Sequence, residues 1–216
     1  MSPTYSEITL STKGPTMRTP SLWEQNVERN PNHSIWYLER MRALAAGGND
    51  LAGEARMIDA MVPRGSCVLD AGCGPGRVGA ALAALGHTVV GIDVDPVLIE
   101  AAVEDHAGVR WLVGDLAEMN LADHQVTETF DAVVCAGNVM TFLAPGTHVA
   151  ALENMARHLA PSGRIVIGFG AGRGYLTSAF LADVATAGLS VDALFSTWDL
   201  RPHHEDSDFL VAVLSA

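Results

Sequence analysis

A glycine-rich segment at residues 68–79, VLDAGCGPGRVG, restricts the fold of this chain more than any other part of its sequence. Its apolar start is typical of a buried strand, and the glycines after Asp70 allow a tight turn into a helix. Read from Gly74, the segment fits G-x-G-x-x-G, the pattern of a dinucleotide site; read from Asp70, it is D-x-G-x-G-x-G. Either pattern needs a strand, a ligand-contacting loop and a helix in that order, which predicts an α/β fold.

Short apolar runs alternate with helical stretches along residues 63–216. The predicted parallel strands are CVLDAG, TVVGID, VRWLVGD, FDAVVCAG and RIVIGF. They are apolar enough to be buried on both faces, and the stretches between them are long enough for helical crossovers. The last two runs, LSVDALFSTW and FLVAVLS, have only residues 199–208 between them, so we expect them to pair antiparallel. The pattern predicts an open, doubly wound, Rossmann-like sheet.

We divide the chain into three parts, on composition and periodicity. Residues 1–20 are polar and rich in turn-forming residues and are predicted to form an N-terminal arm. Residues 21–62 have helical periodicity and are predicted to form a helical cap, whereas residues 63–216 form the α/β core.

Some predicted element ends depend on single residues. Ser34 is expected to cap one helix of the cap region, and Asn49 or Asp50 the next. In the core, residues 147–159 are predicted to form a helix that the Pro-Ser-Gly sequence at 161–163 ends.

The charge of the chain limits its partners. There are 25 acidic residues and 13 basic ones, a formal net charge of −12, so nucleic acid and anionic membranes are disfavoured and a small-molecule substrate is expected. We find no signal-peptide pattern and no long apolar run, and the three cysteines, Cys67, Cys73 and Cys135, are typical of free thiols. These features predict a cytoplasmic protein, and no residue spacing suggests a metal site.

The ends of the predicted strands identify the ligand. In an open α/β sheet the ligand lies beyond the carboxyl ends of the strands, so the glycine loop, Asp93 and Asp115 should converge. Asp93 can accept hydrogen bonds from a ribose, which holds for any adenosine-containing ligand. Asp115 can accept from the amine of an adenine, with Leu116 offering its backbone N–H. The Asp70 carboxylate would repel a pyrophosphate and attract a cationic ligand. Adenine, ribose and positive charge without phosphate describe S-adenosylmethionine.

The sequence resembles the class I S-adenosylmethionine-dependent methyltransferases, in particular the small bacterial ones of the type 11/25 kind. The resemblance extends from Gly65 to the end and rests on VLDAGCGPG, GIDVDP, GDL, FDAVVCAGN and LAPSGRIVIG, in that order and spacing. It implies a seven-stranded sheet of order 3-2-1-4-5-7-6 with the seventh strand antiparallel. It also implies transfer of a methyl group from S-adenosylmethionine.

The resemblance also implies a set of cofactor contacts. The glycine loop would approach the methionine part with Asp70 near its amino group, Val94 would pack on the adenine, and the residues after the fourth strand would offer backbone to the methionyl part. The full set of expected cofactor-binding residues is Tyr37, Asp70, Gly72, Cys73, Gly74, Gly76, Asp93, Val94, Asp115, Leu116, Ala136 and Gly137.

Several alternatives stay open at this point. A NAD-dependent oxidoreductase, an aminopropyl transferase and a non-catalytic cofactor-binding regulator share parts of the pattern. Trp36 and Tyr37 belong either to a helix that covers the cofactor or to one that packs on the sheet. Asn138 is not followed by the Pro-Pro-aromatic sequence of enzymes that methylate nucleobases or glutamine, which weakens those targets. The acceptor, the catalytic residues and the oligomeric state are not determined by the sequence.

Overall fold

The computed structural model describes residues 18–216. Most of the predicted N-terminal arm, residues 1–17, therefore lies outside the described residues.

Seven strands form one sheet, in the order β3-β2-β1-β4-β5-β7-β6. The first five are parallel, and β7 runs antiparallel to both of its neighbours. This confirms the predicted Rossmann-like topology, including the antiparallel last pair. The strands are β1 (Cys67–Ala71), β2 (Thr88–Asp93), β3 (Arg110–Val113), β4 (Phe130–Cys135), β5 (Leu159–Gly170), β6 (Ser190–Phe195) and β7 (Phe209–Ser215).

Seven α-helices accompany the sheet in the described part of the chain, with short 3₁₀ turns at Leu121–His124 and Val139–Phe142. The helices are α1 (Leu22–Arg29), α2 (His33–Ala46), α3 (Gly53–Met61), α4 (Arg77–Ala84), α5 (Pro96–Asp105), α6 (His148–Arg157) and α7 (Thr177–Thr186).

Two of the expected helix caps are wrong. Helix α2 begins at His33, and Ser34, which was expected to cap it, is buried within its first turn. Helix α3 begins at Gly53, several residues after Asp50. The Asp50 carboxylate instead accepts a hydrogen bond from the Ala52 amide and pairs with Arg56, so it shapes the loop before the helix.

Strand β5 begins earlier than predicted. Leu159, expected to end a helix, pairs with Phe130, and Arg164 pairs with Ala132, so the turn-like residues between them form an irregular part of the strand. Gly163 is required there because a Cβ atom would lie 2.6 Å from the Phe130 carbonyl oxygen. Close approach to a neighbouring strand, rather than a helix end, explains this glycine.

The core has two apolar layers, one on each side of the sheet. One layer includes Leu152 and Met155 of α6, and the other includes Ile58 of α3 and Leu82 of α4. Helix α3 therefore packs on a face of the sheet, although it belongs to the predicted cap region.

The other two helices of the predicted cap region, α1 and α2, lie over the carboxyl ends of the strands. Leu38 of α2 packs with Leu98 and Ala101 of α5, and Trp23 of α1 packs against the same group. Helix α1 starts with a capping box, in which Ser21 and Glu24 satisfy each other's backbone N–H groups. We call residues 18–46 the roof.

Candidate functional site

A cleft of about 420 Å³ lies between the roof and the carboxyl ends of the first four strands. Its volume is in the range of ligand pockets. Every residue expected to bind the cofactor lines this cleft, with the exception of Gly76. The structure therefore brings together side chains from the glycine loop, three further strand ends and α2.

The glycine loop forms the floor of the cleft and is tied to β2 by its backbone. The amides of Gly72 and Cys73 both donate to the Ile92 carbonyl oxygen, at 2.8 and 3.1 Å. Gly72 has a φ of +79°, and a Cβ atom there would lie 2.4 Å from Cγ2 of Val139. Both the backbone conformation and the space thus require glycine at this position.

Gly76, also expected to contact the cofactor, is not among the residues that line the cleft. It precedes α4 with a φ of +85°, and a Cβ atom would lie 2.7 Å from the Trp111 ring. This glycine lets α4 pack closely on Trp111, so its contribution to the cleft is indirect.

Asp70 lies at the end of β1 and is 2% exposed. Its Oδ2 atom accepts a hydrogen bond of 2.8 Å from the amide of Gly79, in the first turn of α4. The carboxylate therefore occupies a helix N-terminus of the kind that binds phosphate in dinucleotide sites. Burial raises the pKa of Asp70 to about 7, although the Gly79 amide and Arg77 oppose the shift.

Asp93 lies at the end of β2, next to the glycine loop. Its Oδ2 accepts from the Gly74 amide at 2.8 Å, and its Oδ1 accepts from the Asp95 amide at 2.9 Å. Burial raises the pKa of Asp93 to about 6. A cationic ligand in the cleft would favour the ionised forms of both Asp70 and Asp93.

Asp115 and Leu116 follow β3 and lie at another side of the cleft. The Oδ1 atom of Asp115 accepts from the Ala117 amide at 2.8 Å, and its Oδ2 accepts from the Arg18 guanidinium at 2.7 Å. The contact with Arg18 is absent from the sequence-based expectations, because 97 residues separate the two positions.

The other expected residues differ in burial. Val94 is half-buried, Ala136 is buried, and Gly137 is exposed with a φ of +75°. Cys73 is buried in a small apolar cluster with Trp111, and burial raises the pKa of its thiol well above the usual value. A thiol that stays protonated is a poor nucleophile, which agrees with a packing role.

The roof contributes an aromatic group to the cleft. The Trp23 ring lies 4.8 Å from the His33 ring, 5.4 Å from Tyr37 and 5.5 Å from Phe142, all between centroids. Tyr37 also lies over the glycine loop, since a Cβ atom on Gly74 would be 3.7 Å from its ring. The helix that carries Trp36 and Tyr37 therefore covers the cleft. Trp23 was not among the expected site residues.

Asp95 attaches the roof to the sheet. Its Oδ1 caps α5 by accepting from the Val97 amide at 2.9 Å. Its Oδ2 accepts from Trp23 Nε1 at 2.7 Å and from Ser34 Oγ at 2.5 Å. Asp95 thus caps α5, and the same carboxylate also binds both roof helices.

Three arginines line the cleft. Arg77 pairs with Glu54 and donates to the Leu51 carbonyl oxygen at 2.9 Å. Arg40 lies over the Trp36 ring at 5.7 Å. The third is Arg173, which follows β5; Arg42, by contrast, pairs with Asp105 outside the cleft.

Tyr175, Trp198 and Asp131 do not line the cleft. Tyr175 is buried against His148, its hydroxyl donating to Asp183 at 2.7 Å, and Trp198 packs over Gly168. Asp131 accepts from the Cys67 amide at 2.9 Å at the opposite edge of the sheet, which is a structural role.

Two features are absent from residues 18–216. These residues contain no group of three or more His, Cys, Asp or Glu side chains that could hold a metal ion. None of the helices in this range has both the length and the apolar character needed to cross a membrane.

Known proteins resemble this chain in sequence and structure. Residues 68–163 match a family described as a methyltransferase domain. The crystal structure of a TehB-like S-adenosylmethionine-dependent methyltransferase from Corynebacterium glutamicum superposes with a TM-score of 0.81 and 51% identity, over 86% of this chain and 99% of that one. An uncharacterized methyltransferase of Mycobacterium tuberculosis is 43% identical over 81 residues, which are 36% of this chain and 39% of the relative.

A more distant structure shares the fold. An S-adenosylmethionine-bound amino pentose methyltransferase from Micromonospora echinaspora superposes with a TM-score of 0.63 at 20% identity, over 82% of this chain and 97% of that one. The extent and identity of the Corynebacterium match, together with the topology and the domain match, show that this chain belongs to the class I S-adenosylmethionine-dependent methyltransferases.

Proposed function

We propose that this protein transfers a methyl group from S-adenosylmethionine to a small-molecule acceptor, at an oxygen, nitrogen or sulfur atom. The observation that carries the proposal is the position of Asp70, whose carboxylate binds the first turn of α4 within the cleft. A pyrophosphate would need that helix terminus for its own charge, whereas a sulfonium and an ammonium group are attracted to the carboxylate. The same observation disfavours NAD.

The proposed cofactor contacts follow the order of the strands. Asp93 would accept from the ribose hydroxyls, Asp115 and the Leu116 amide would bind the adenine edge, and Asp70 would lie near the amino group. Further contacts are proposed for the remaining cleft-lining members of the expected set: Tyr37, Gly72, Cys73, Gly74, Val94, Ala136 and Gly137.

Methyl transfer requires the protein mainly to position the acceptor and the cofactor. Bound S-adenosylmethionine supplies an activated methyl electrophile. The residues of the chain have to hold an acceptor atom in line with that methyl group and exclude water. The aromatic side chains Trp23, Tyr37 and Phe142 provide a dry wall for this purpose. His33 lines the cleft and is a candidate base for a protonated acceptor, but no contact assigns it that role.

Calorimetry with S-adenosylmethionine, S-adenosylhomocysteine and NAD tests the cofactor. We expect the first two to bind and NAD to give no heat of binding. Binding of NAD without a response to the methyl donor would overturn the proposal and favour an oxidoreductase.

A screen for methyl transfer then tests the activity. The protein would be incubated with labelled S-adenosylmethionine and a small-molecule extract of cells, with and without EDTA. We expect a labelled acceptor to form in both cases. Tight cofactor binding with no transfer to any fraction would favour a non-catalytic regulator, and loss of transfer with EDTA would contradict metal independence.

A further inference from the structure

Arg18 lies just before α1 and connects two acidic groups. Its Nη1 atom donates to Oδ2 of Asp115 and to Oε2 of Glu24, each at 2.7 Å, and its Nη2 donates to Oε1 of Glu24. About 10% of the Asp115 side chain is exposed, against 31% for Arg18. The guanidinium therefore lies partly sheltered between the roof and the end of β3.

Glu24 fixes this guanidinium through the start of α1. The amide and the hydroxyl of Ser21 both donate to Glu24 Oε2 at 2.8 Å, and the Glu24 amide donates back to the Ser21 hydroxyl. Glu24 raises the pKa of Arg18, so the guanidinium stays charged. Burial raises the pKa of Glu24, but hydrogen bonds from Arg18 and Ser21 reverse this and lower it overall. The capping box of α1 thus holds a permanent cation against Asp115.

The two contacts of Asp115 fix the plane of its carboxylate. Oδ1 is held by the Ala117 amide and Oδ2 by Arg18. A carboxylate has about four acceptor sites, so two hydrogen bonds leave it able to accept from a ligand. Without Arg18, the side chain would have to be ordered when the ligand binds, and that ordering reduces affinity.

We propose that Arg18 is a positioning residue that orients Asp115 to select adenine over other purine bases. This inference rests on the proposed function, because it assumes that Asp115 faces the adenine of the cofactor. Arg18 belongs to the segment before α1, whereas the rest of the site consists of strand ends and helices. Arg18 does not line the cleft and acts through Asp115.

The test compares two ligands whose bases differ in the group at C6 and in the proton that the 6-oxo base carries on N1. S-adenosylhomocysteine has an exocyclic amine that can donate to Asp115, whereas S-inosylhomocysteine has a carbonyl oxygen there and cannot. Dissociation constants for both would be measured by calorimetry on the full chain and on Arg18→Ala, Arg18→Lys and Glu24→Gln. Arg201→Ala serves as a control, since that exposed arginine pairs with Asp199 in the connection between β6 and β7.

We expect the unmodified protein to prefer S-adenosylhomocysteine. Arg18→Ala should weaken the binding of that ligand by about tenfold, which corresponds to the loss of one hydrogen bond to a charged group. The dissociation constant of S-inosylhomocysteine should be nearly unchanged. The preference for adenine would then fall by the same factor. Arg18→Lys keeps the charge but not the two-pronged contact with Glu24. Its preference for adenine should therefore lie between those of the unmodified protein and Arg18→Ala. Glu24→Gln retains the capping box and should also reduce the preference.

Three outcomes would overturn the inference. An unchanged preference in Arg18→Ala would show that Asp115 is oriented without Arg18. Equal weakening of both ligands would show that Arg18 only supports the roof. A full chain that binds both ligands equally would show that Asp115 does not bind adenine. Failure of the unmodified protein to bind S-adenosylhomocysteine at all would overturn the proposed function itself, and this inference with it.

Discussion

The floor and the roof of the cleft are each stabilised by a different kind of interaction. The floor comprises the glycine loop and the ends of β1 and β2, with Asp70 and Asp93. The floor is made of backbone hydrogen bonds between adjacent parallel strands, and of glycines with positive φ such as Gly72 and Gly74. The roof is attached by a few side-chain contacts, chiefly those of Asp95 with Trp23 and Ser34 and that of Arg18 with Asp115. The floor therefore has no room for a side chain at Gly72, whereas the polar attachment of the roof depends on a few single side chains.

This difference has a consequence for how each region responds to substitution. A change in the floor alters a rigid backbone that would contact the cofactor, so it should affect both stability and binding. Loss of the Asp95 contacts with Trp23 and Ser34 would loosen the closure of the cleft, so it should affect transfer more than cofactor binding. Four predictions compare the two regions.

The largest effect is expected from Gly72→Ala in the floor. An alanine at a φ of +79° is strained, and its Cβ would lie within 2.5 Å of both methyl groups of Val139. We expect a loss of about 2–5 kcal/mol in the free energy of unfolding and no measurable cofactor binding. Denaturant unfolding and calorimetry provide the measurement.

Two further variants separate strain from collision at Gly72. Gly86→Ala has a similar φ, +94°, with nothing near its Cβ, so it should lose only about 1–2 kcal/mol and bind the cofactor normally. Adding Val139→Ala to Gly72→Ala should restore part of the stability. If the double variant is as unstable as the single one, the collision is not the cause.

The second prediction concerns Asp93, also in the floor. Hydrogen bonds to a charged group contribute about 1.5–3 kcal/mol each, so Asp93→Ala should weaken S-adenosylmethionine by about tenfold to several hundredfold. Asp131→Ala is the matched control, because that carboxylate accepts from the Cys67 amide at the opposite edge of the sheet. An unchanged dissociation constant for Asp93→Ala would contradict the proposed ribose contact.

The floor could be predicted from the sequence because its determinants are local. The strand, the turn and the helix at residues 68–79 are continuous in the chain, and a parallel sheet places strand ends side by side. Asp70, Asp93 and Asp115 were therefore expected together, and they do line one cleft. The strand order and the antiparallel last pair are confirmed as well.

The roof could not be predicted to the same depth. Trp23, Ser34 and Arg18 contact partners 72, 61 and 97 residues away, and no periodicity indicates such pairs. Ser34 was interpreted as a helix cap because serine prefers that position, but a buried carboxylate provides a stronger partner for its hydroxyl. Arg77 pairs with Glu54 of another helix, 23 residues away, and no sequence pattern indicates that contact either.

The third prediction concerns the roof. Asp95→Asn keeps the cap of α5, because asparagine caps helices as well as aspartate does. If its oxygen accepts from the Val97 amide, its NH₂ group faces Trp23 and Ser34, and that nitrogen cannot accept their hydrogen bonds. We expect the free energy of unfolding to fall by about 2–3 kcal/mol and methyl transfer to fall further than cofactor affinity.

Asp105→Asn is the control for this variant. Asp105 pairs with Arg42 at the surface, where an ion pair contributes about 0–1 kcal/mol, so its loss should be hard to detect. Equal stability and equal transfer rates for the two variants would show that Asp95 does not hold the roof in place.

A change of pH, without any substitution, also distinguishes the two regions, through the two floor acids. Burial raises the pKa of Asp70 to about 7 and that of Asp93 to about 6, whereas Glu24 in the roof has a lowered pKa. For an acid whose pKa is raised by folding, the folded state holds more protons than the unfolded state. Its contribution to stability is therefore present at low pH and is lost as the pH rises through about 6 to 7.

A cationic ligand reverses this dependence, because it favours the ionised carboxylates. We therefore expect the affinity for S-adenosylmethionine to fall between pH 8 and pH 5, by at most about tenfold per pH unit for each group, with release of protons on binding. Calorimetry in two buffers of different ionisation enthalpy measures that release. Asp70→Asn retains an oxygen for the Gly79 amide and cannot ionise, so it should remove the step near pH 7 and leave the one near pH 6. If the affinity of the unmodified protein is constant across this range, Asp70 does not lie near the amino group and Asp93 does not accept from the ribose, and the proposed orientation of the cofactor in the cleft is wrong.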